Sequence, residues 1–127
     1  MSPFRIDIES SFKEFWRYNI AITGYIYSKG QAVTFISHSD EIAPVGSNLK
    51  EPPAGYNTHR KIELSTVAGD SITLYIYIVP HTLPSAQLVV DAPPFECKIS
   101  ISQEECVIIS NTYSINQWSG DNIEIII

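Results

Sequence analysis

The alternation of apolar and polar residues is the feature that most constrains this chain. In Ser71–Val79, SITLYIYIV, one parity holds Ile72, Leu74, Ile76 and Ile78; the other holds Thr73, Tyr75 and Tyr77. Successive side chains of a β-strand point to opposite faces, so a period of two predicts a strand. The pattern recurs in short runs from Phe4 to Ile127, punctuated by Gly, Pro, Asn and Asp. Runs of this length and punctuation predict an all-β chain. A helical turn competes only at Ser10–Phe15, where Ser11 and Glu14 have the spacing of a capping box.

The pattern predicts strands at Phe4–Glu9, Trp16–Ser28, Gln31–Ser37, His59–Thr66, Ser71–Val79, Ala86–Asp91, the two halves of a Phe95–Ser110 hairpin, and Asn122–Ile127. Gly24 marks a bulge or bend in a long strand. Lys29-Gly30 reads as a hairpin turn. His38–Asn57 holds Pro44, Gly46, Pro52, Pro53 and Gly55 and has no period; it predicts a long, mobile, protease-sensitive loop. Asn111–Gly120 reads as a polar connector. The whole predicts one domain, residues 1–127, folded as an antiparallel two-sheet β-sandwich of about eight strands. A jelly roll or small barrel is the alternative. The architecture is similar to that of lectin-like, C2-like and transthyretin-like domains, a likeness that assigns no function.

The last strand is apolar on both faces: Ile123, Ile125 and Ile127 on one, Ile126 with Glu124 on the other. A bare edge of this kind invites uncontrolled pairing. The strand is therefore expected either to lie inside its own sheet or to pair with another subunit. Tyr75 and Tyr77, with Tyr25 and Tyr27, are expected on an outer face, where the phenol hydroxyl stays wet while the ring packs.

Only 17% of residues are charged, and the net charge is −6. A neutral polar surface or a surface covered by a partner both satisfy that composition. An acidic chain is repelled by phosphate backbones and by anionic lipid, so neither nucleic-acid binding nor membrane insertion is expected. No apolar run reaches the length of a bilayer span. The Met-Ser-Pro-Phe start lacks a basic and apolar leader, so the expected compartment is cytoplasmic.

Cys97 and Cys106 fit that compartment. If Phe95–Ser110 folds as a hairpin turning near Gln103–Glu104, Cys106 opposes Ile101 or Ser102, and Cys97 lies several residues further along its strand. At about 3.4 Å per residue this exceeds the reach of a disulfide. Two free thiols are expected.

No catalytic or cofactor motif is present: there is no G-x-S-x-G, no HExxH and no Gly-rich phosphate cradle. The chain is expected not to be an enzyme and to need no cofactor. Three groups of residues nevertheless have the composition of a site. Asn116 and Trp118 near Asp121, and the pair Tyr56 and Asn57, set an aromatic ring beside amides, as carbohydrate sites do. His38, Asp40 and Glu41 place an imidazole and two carboxylates within four residues, a set that could hold a metal. The expected function is a non-enzymatic protein-interaction or assembly module, oligomeric or part of a larger complex. A carbohydrate- or small-ligand-binding protein using end loops is the alternative; a metal-assisted hydrolase is a third reading.

Overall fold

The computed structural model describes residues 4–64, 69–82 and 93–127. Among these residues eight strands form: β1 Phe4–Glu9, β2 Tyr18–Ser28, β3 Gln31–Asp40, β4 His59–Leu64, β5 Ser71–Pro80, β6 Phe95–Gln103, β7 Cys106–Ile115 and β8 Asp121–Ile126. They build two antiparallel four-stranded sheets, with orders β4-β1-β6-β7 and β3-β2-β5-β8. The fold is an all-β two-sheet sandwich. The strand expected at 86–91 and the end of the one expected to reach Thr66 lie outside the described residues.

The core follows from the alternation. Inward positions are mainly apolar, with Arg60 on β4, His38 and Asp40 on β3 and Asn111 on β7 as exceptions, and isoleucine dominates: Ile6, Ile8, Ile20, Ile22, Ile76, Ile78, Ile101 and Ile115 are completely buried. Isoleucine suits this role because its branched side chain packs well on a pleated surface. At one end Phe12, Phe15, Tyr18 and Phe95 close the interior as an aromatic plug, with Phe12 stacked on Phe95 at 4.6 Å between ring centres. The Tyr18 hydroxyl reaches out of the plug and donates to the Gln117 carbonyl at 2.8 Å.

Several local expectations change. The helical turn is a 3-10 turn at Phe15–Arg17, so Trp16 precedes β2 rather than opening it. Ser10, not Ser11, organises its approach: its Oγ accepts the Phe12 amide and donates to the Glu96 carbonyl. Glu14 pairs with Arg17 instead of capping. Gly24 is not a bulge; the ladder runs regularly through it, and the register shifts at Ile26/Tyr27. Gly24 is required because a Cβ there would lie 2.0 Å from the Thr73 carbonyl oxygen of β5, at φ +155°. β3 continues to Asp40, and β7 continues through the polar stretch to Ile115.

The hairpin β6–β7 turns at Glu104-Glu105, with φ of 54° and 62°. Cys106 therefore opposes Gln103, and Cys97 opposes Tyr113 at the far end. Both thiols are free. Burial pushes the Cys97 thiol up to about 12, with Arg60 acting weakly against it.

Among the described residues β8 is an edge strand, paired only with β5. Ile123 and Ile125 face the core, and Ile126 is 66% exposed.

Candidate functional site

Four outer surfaces and corners need to be distinguished, and the sheet registers place each. On the outer face of the first sheet, β1 contributes Arg5, Asp7 and Glu9. Their cross-strand neighbours are Glu63 beside Arg5, Lys61 beside Asp7, and Lys98 beside Glu9. Every such pair is of opposite sign. Arg5 and His59 also reach Asp7 at 3.1 Å. This is an ordinary solvated face, laced by weak ion pairs.

The outer face of the second sheet is different. One register row runs Phe35, Tyr25, Thr73, Ile126 across all four strands. The next two rows are Ser37, Thr23, Tyr75, Glu124 and Ser39, Ala21, Tyr77, Asn122. Among the outward positions of these strands only Glu124 is charged. Phe35 is 59% exposed and Tyr25 41%. Their rings meet edge to face at 5.4 Å, and Tyr27 tilts against Tyr25 at 6.4 Å. Four strands about 4.8 Å apart, six residues long at about 3.3 Å each, outline a face of roughly 400 Å², within the size range of the largest surface patches of monomers, which are often functional. The tyrosine pairs were legible in the sequence; Phe35 and Ile126 join them only through strand pairing.

The loop between β3 and β4 is not free. The Asn19 side chain accepts the amides of Ile42 and Ala43 and donates to the Ala43 carbonyl at 2.7 Å. The Gly46 amide donates to the His81 carbonyl, and Thr82 Oγ1 lies 3.0 Å from the Ser47 carbonyl. The expectation of a mobile loop gives way to a strap fastened to β2 and to the end of β5. Its far half forms a cleft of about 450 Å³ lined by Asp40, Glu41, Tyr56, Asn57, His59 and Lys61. The Tyr56 hydroxyl is buried without a hydrogen-bond partner among the described residues. Its pKa is raised, chiefly by burial. The Asn57 side chain is committed to the His59 amide at 2.9 Å, steering the chain into β4.

Arg60 sits behind this cleft and is fully used. Its Nε and Nη2 donate to the Asp40 carboxylate and carbonyl, its Nη1 donates to the Tyr18 carbonyl at 2.7 Å, and its plane lies 5.2 Å from the Phe15 ring centre. A buried guanidinium needs such complete pairing. The same contacts bolt β3 to β4 and close that side of the sandwich.

His38, Asp40 and Glu41 do not converge as ligands. His38 and Asp40 share one parity of β3, Glu41 lies past the strand end, and Asp40 is held by Arg60. Among the described residues no group of three or more His, Cys, Asp or Glu side chains is placed to hold a metal ion. Asn116 and Trp118 lie at the β7–β8 turn, away from the lining of the Tyr56 cleft. The Asn116 side chain accepts the amides of Trp118 and Ser119, and the Trp118 indole nitrogen is buried without a partner among the described residues. The four residues of the carbohydrate reading are therefore two separate corners. Among the described residues no helix is long and apolar enough to cross a membrane.

Comparison of this chain with family models, curated proteins and solved structures finds no match.

Proposed function

We propose that the chain is a non-enzymatic protein-interaction module whose contact surface is the outer face of β3-β2-β5-β8. One observation carries the proposal: an exposed row from Phe35 to Ile126 crosses the whole sheet, on a face with a single charged side chain. In a chain of net charge −6 this is the broad surface that can meet another protein without opposing acids. The partner is a protein presenting a flat, uncharged area able to accept tyrosine hydroxyls. A reducing, cytoplasmic location accords with two thiols that lie about 20 Å apart along the hairpin.

A photoreactive phenylalanine analogue tests the reading. Placed at Phe35 and illuminated in the expressing cell, it should yield one discrete protein adduct. The same probe at Lys61, on the charged face, should yield none, and Tyr25→Glu should abolish the Phe35 adduct. No adduct at Phe35, or the same adducts from both faces, overturns the proposal.

A further inference from the structure

Among the described residues the sandwich has four edge strands, and three carry some protection; β3 ends on Asp40, which is tied to Arg60 of β4. β4 carries Arg60, Lys61 and Glu63 and is bolted to β3 through Arg60 and Asp40. β8 is six residues long and carries Asp121 and Glu124. Charges, short length and cover are the usual protections of an edge. Among the described residues β7 has none of them. It is ten residues long, contains no charged residue and no proline, and pairs only with β6 among the described residues. Val107 is 63% exposed at its start.

The sequence of β7 adds an independent observation. The register with β6 shifts beside Ile108 and is regular from Ile109 to Ile115. That regular stretch reads Ile-Ser-Asn-Thr-Tyr-Ser-Ile, nearly the same in both directions about Thr112. Two copies of an edge strand related by a two-fold axis normal to the sheet pair antiparallel, and each residue meets one on its own face. Centred on Thr112, Ile109 meets Ile115 of the second copy, Ser110 meets Ser114, Asn111 meets Tyr113, and Thr112 meets itself. Isoleucine contacts isoleucine on the inner face, and hydroxyls contact hydroxyls on the outer face. A slip of one residue in the pairing would set inward side chains against outward ones.

We propose that the chain dimerises by antiparallel pairing of β7 with β7 of a second copy, centred on Thr112, so that the first sheets of the two copies become one eight-stranded sheet. The acidic chain makes this choice of edge physical. Most surfaces of two copies bring carboxylates together, whereas β7 brings no charge at all. The surface is separate from the aromatic face of the proposed function and stands or falls independently of it.

Thr112→Glu separates association from folding. Within one chain the new carboxylate faces Lys98, the β6 neighbour of position 112; across the two-fold axis it faces its own copy. The wild type should sediment as a dimer at high micromolar concentration, and Thr112→Glu as a monomer whose melting temperature matches that of the wild type at dilutions where both are monomeric. Paired residues in an antiparallel ladder have Cα atoms about 4.5–5.5 Å apart, inside the disulfide range. Thr112→Cys with Cys106→Ser should therefore give a covalent dimer on mild oxidation, and Ser114→Cys with Cys106→Ser should not. A wild type that stays monomeric, a Thr112→Glu protein that stays dimeric, or a Thr112→Cys protein that never links overturns the proposal. Loss of the dimer in Tyr25→Lys/Phe35→Lys but not in Thr112→Glu also overturns it, and assigns the dimer to the aromatic face.

Discussion

The two sheets obey one rule inside and two rules outside. Inward, both present isoleucines to a shared core. Outward, the first sheet pairs Arg5 with Glu63, Asp7 with Lys61 and Glu9 with Lys98, while the second presents Phe35, Tyr25, Tyr75, Tyr77 and Ile126 around one carboxylate. Solvation explains the first pattern completely, since ion pairs of this kind keep a face wet at little cost. It does not explain the second. A sheet of the same size, on the same core, shows that charge was available to this fold and is withheld from one side. The contrast, rather than the mere exposure of tyrosines, is what supports the proposed contact face.

The shared core should be blind to the contrast. Leu74→Ala empties a fully buried site between the sheets and should cost about 2–5 kcal/mol in urea unfolding; a smaller loss would mean the two sheets are not packed as one interior. Acidification comes next. His81 is buried, its Nε2 donates to the Trp16 carbonyl at 2.6 Å, and Thr82 Oγ1 stands 2.8 Å from Nδ1. Burial holds its pKa below 6.5, and Arg60 and Arg17 add to that effect against the Trp16 hydrogen bond. A depressed imidazole pKa means the unfolded chain binds the proton more readily. Stability should thus be full above about pH 6.5 and fall as the pH drops below it. His81→Asn should flatten that slope, and an unchanged slope would remove His81 from the account.

On the charged face, Asp7→Lys sets a third cation beside Arg5 and Lys61. It should cost about 1 kcal/mol at low salt and less at high salt; salt-independence would show that the ion pairs contribute nothing. On the aromatic face, Phe35→Lys should change stability by no more than about 0.5 kcal/mol. A large loss there would mean that Phe35 serves folding, and the comparison between the faces would lose its meaning. The smallest effect is at the β6–β7 turn, where two glutamates occupy the left-handed region. Glu105→Gly should stabilise by about 0.5 kcal/mol, the relief of strain less the entropy glycine adds to the unfolded chain.

The strands were legible where both sides of the alternation were chemically distinct. β1 needed nothing beyond Phe4, Ile6 and Ile8 against Arg5, Asp7 and Glu9. The ends of β3 and β7 were hidden because edge strands bury little, so Ser37–Asp40 and Asn111–Ser114 carry too few apolar residues to show a period. The fastening of the loop was hidden because it depends on single side chains, Asn19 and Thr82, more than twenty residues away. Half of the proposed contact face was visible in Tyr25, Tyr27, Tyr75 and Tyr77. Phe35 and Ile126 were not, since a row across four strands exists only after pairing. Trp118 and Tyr56 shared a composition, and composition carries no distance.

One consequence follows from where β7 lies. It edges the first sheet, and the aromatic face belongs to the second. A two-fold axis normal to the stacked sheets leaves the second sheet of each copy facing the same way. Two chains joined through β7 therefore hold their aromatic faces side by side on one surface. A partner with two matching areas engages the second face at the high local concentration set by the first, and such bivalent attachment gains about 10²–10⁴ in avidity with no new contact. A module whose single face binds weakly would then discriminate by the spacing of its target rather than by the strength of any one grip.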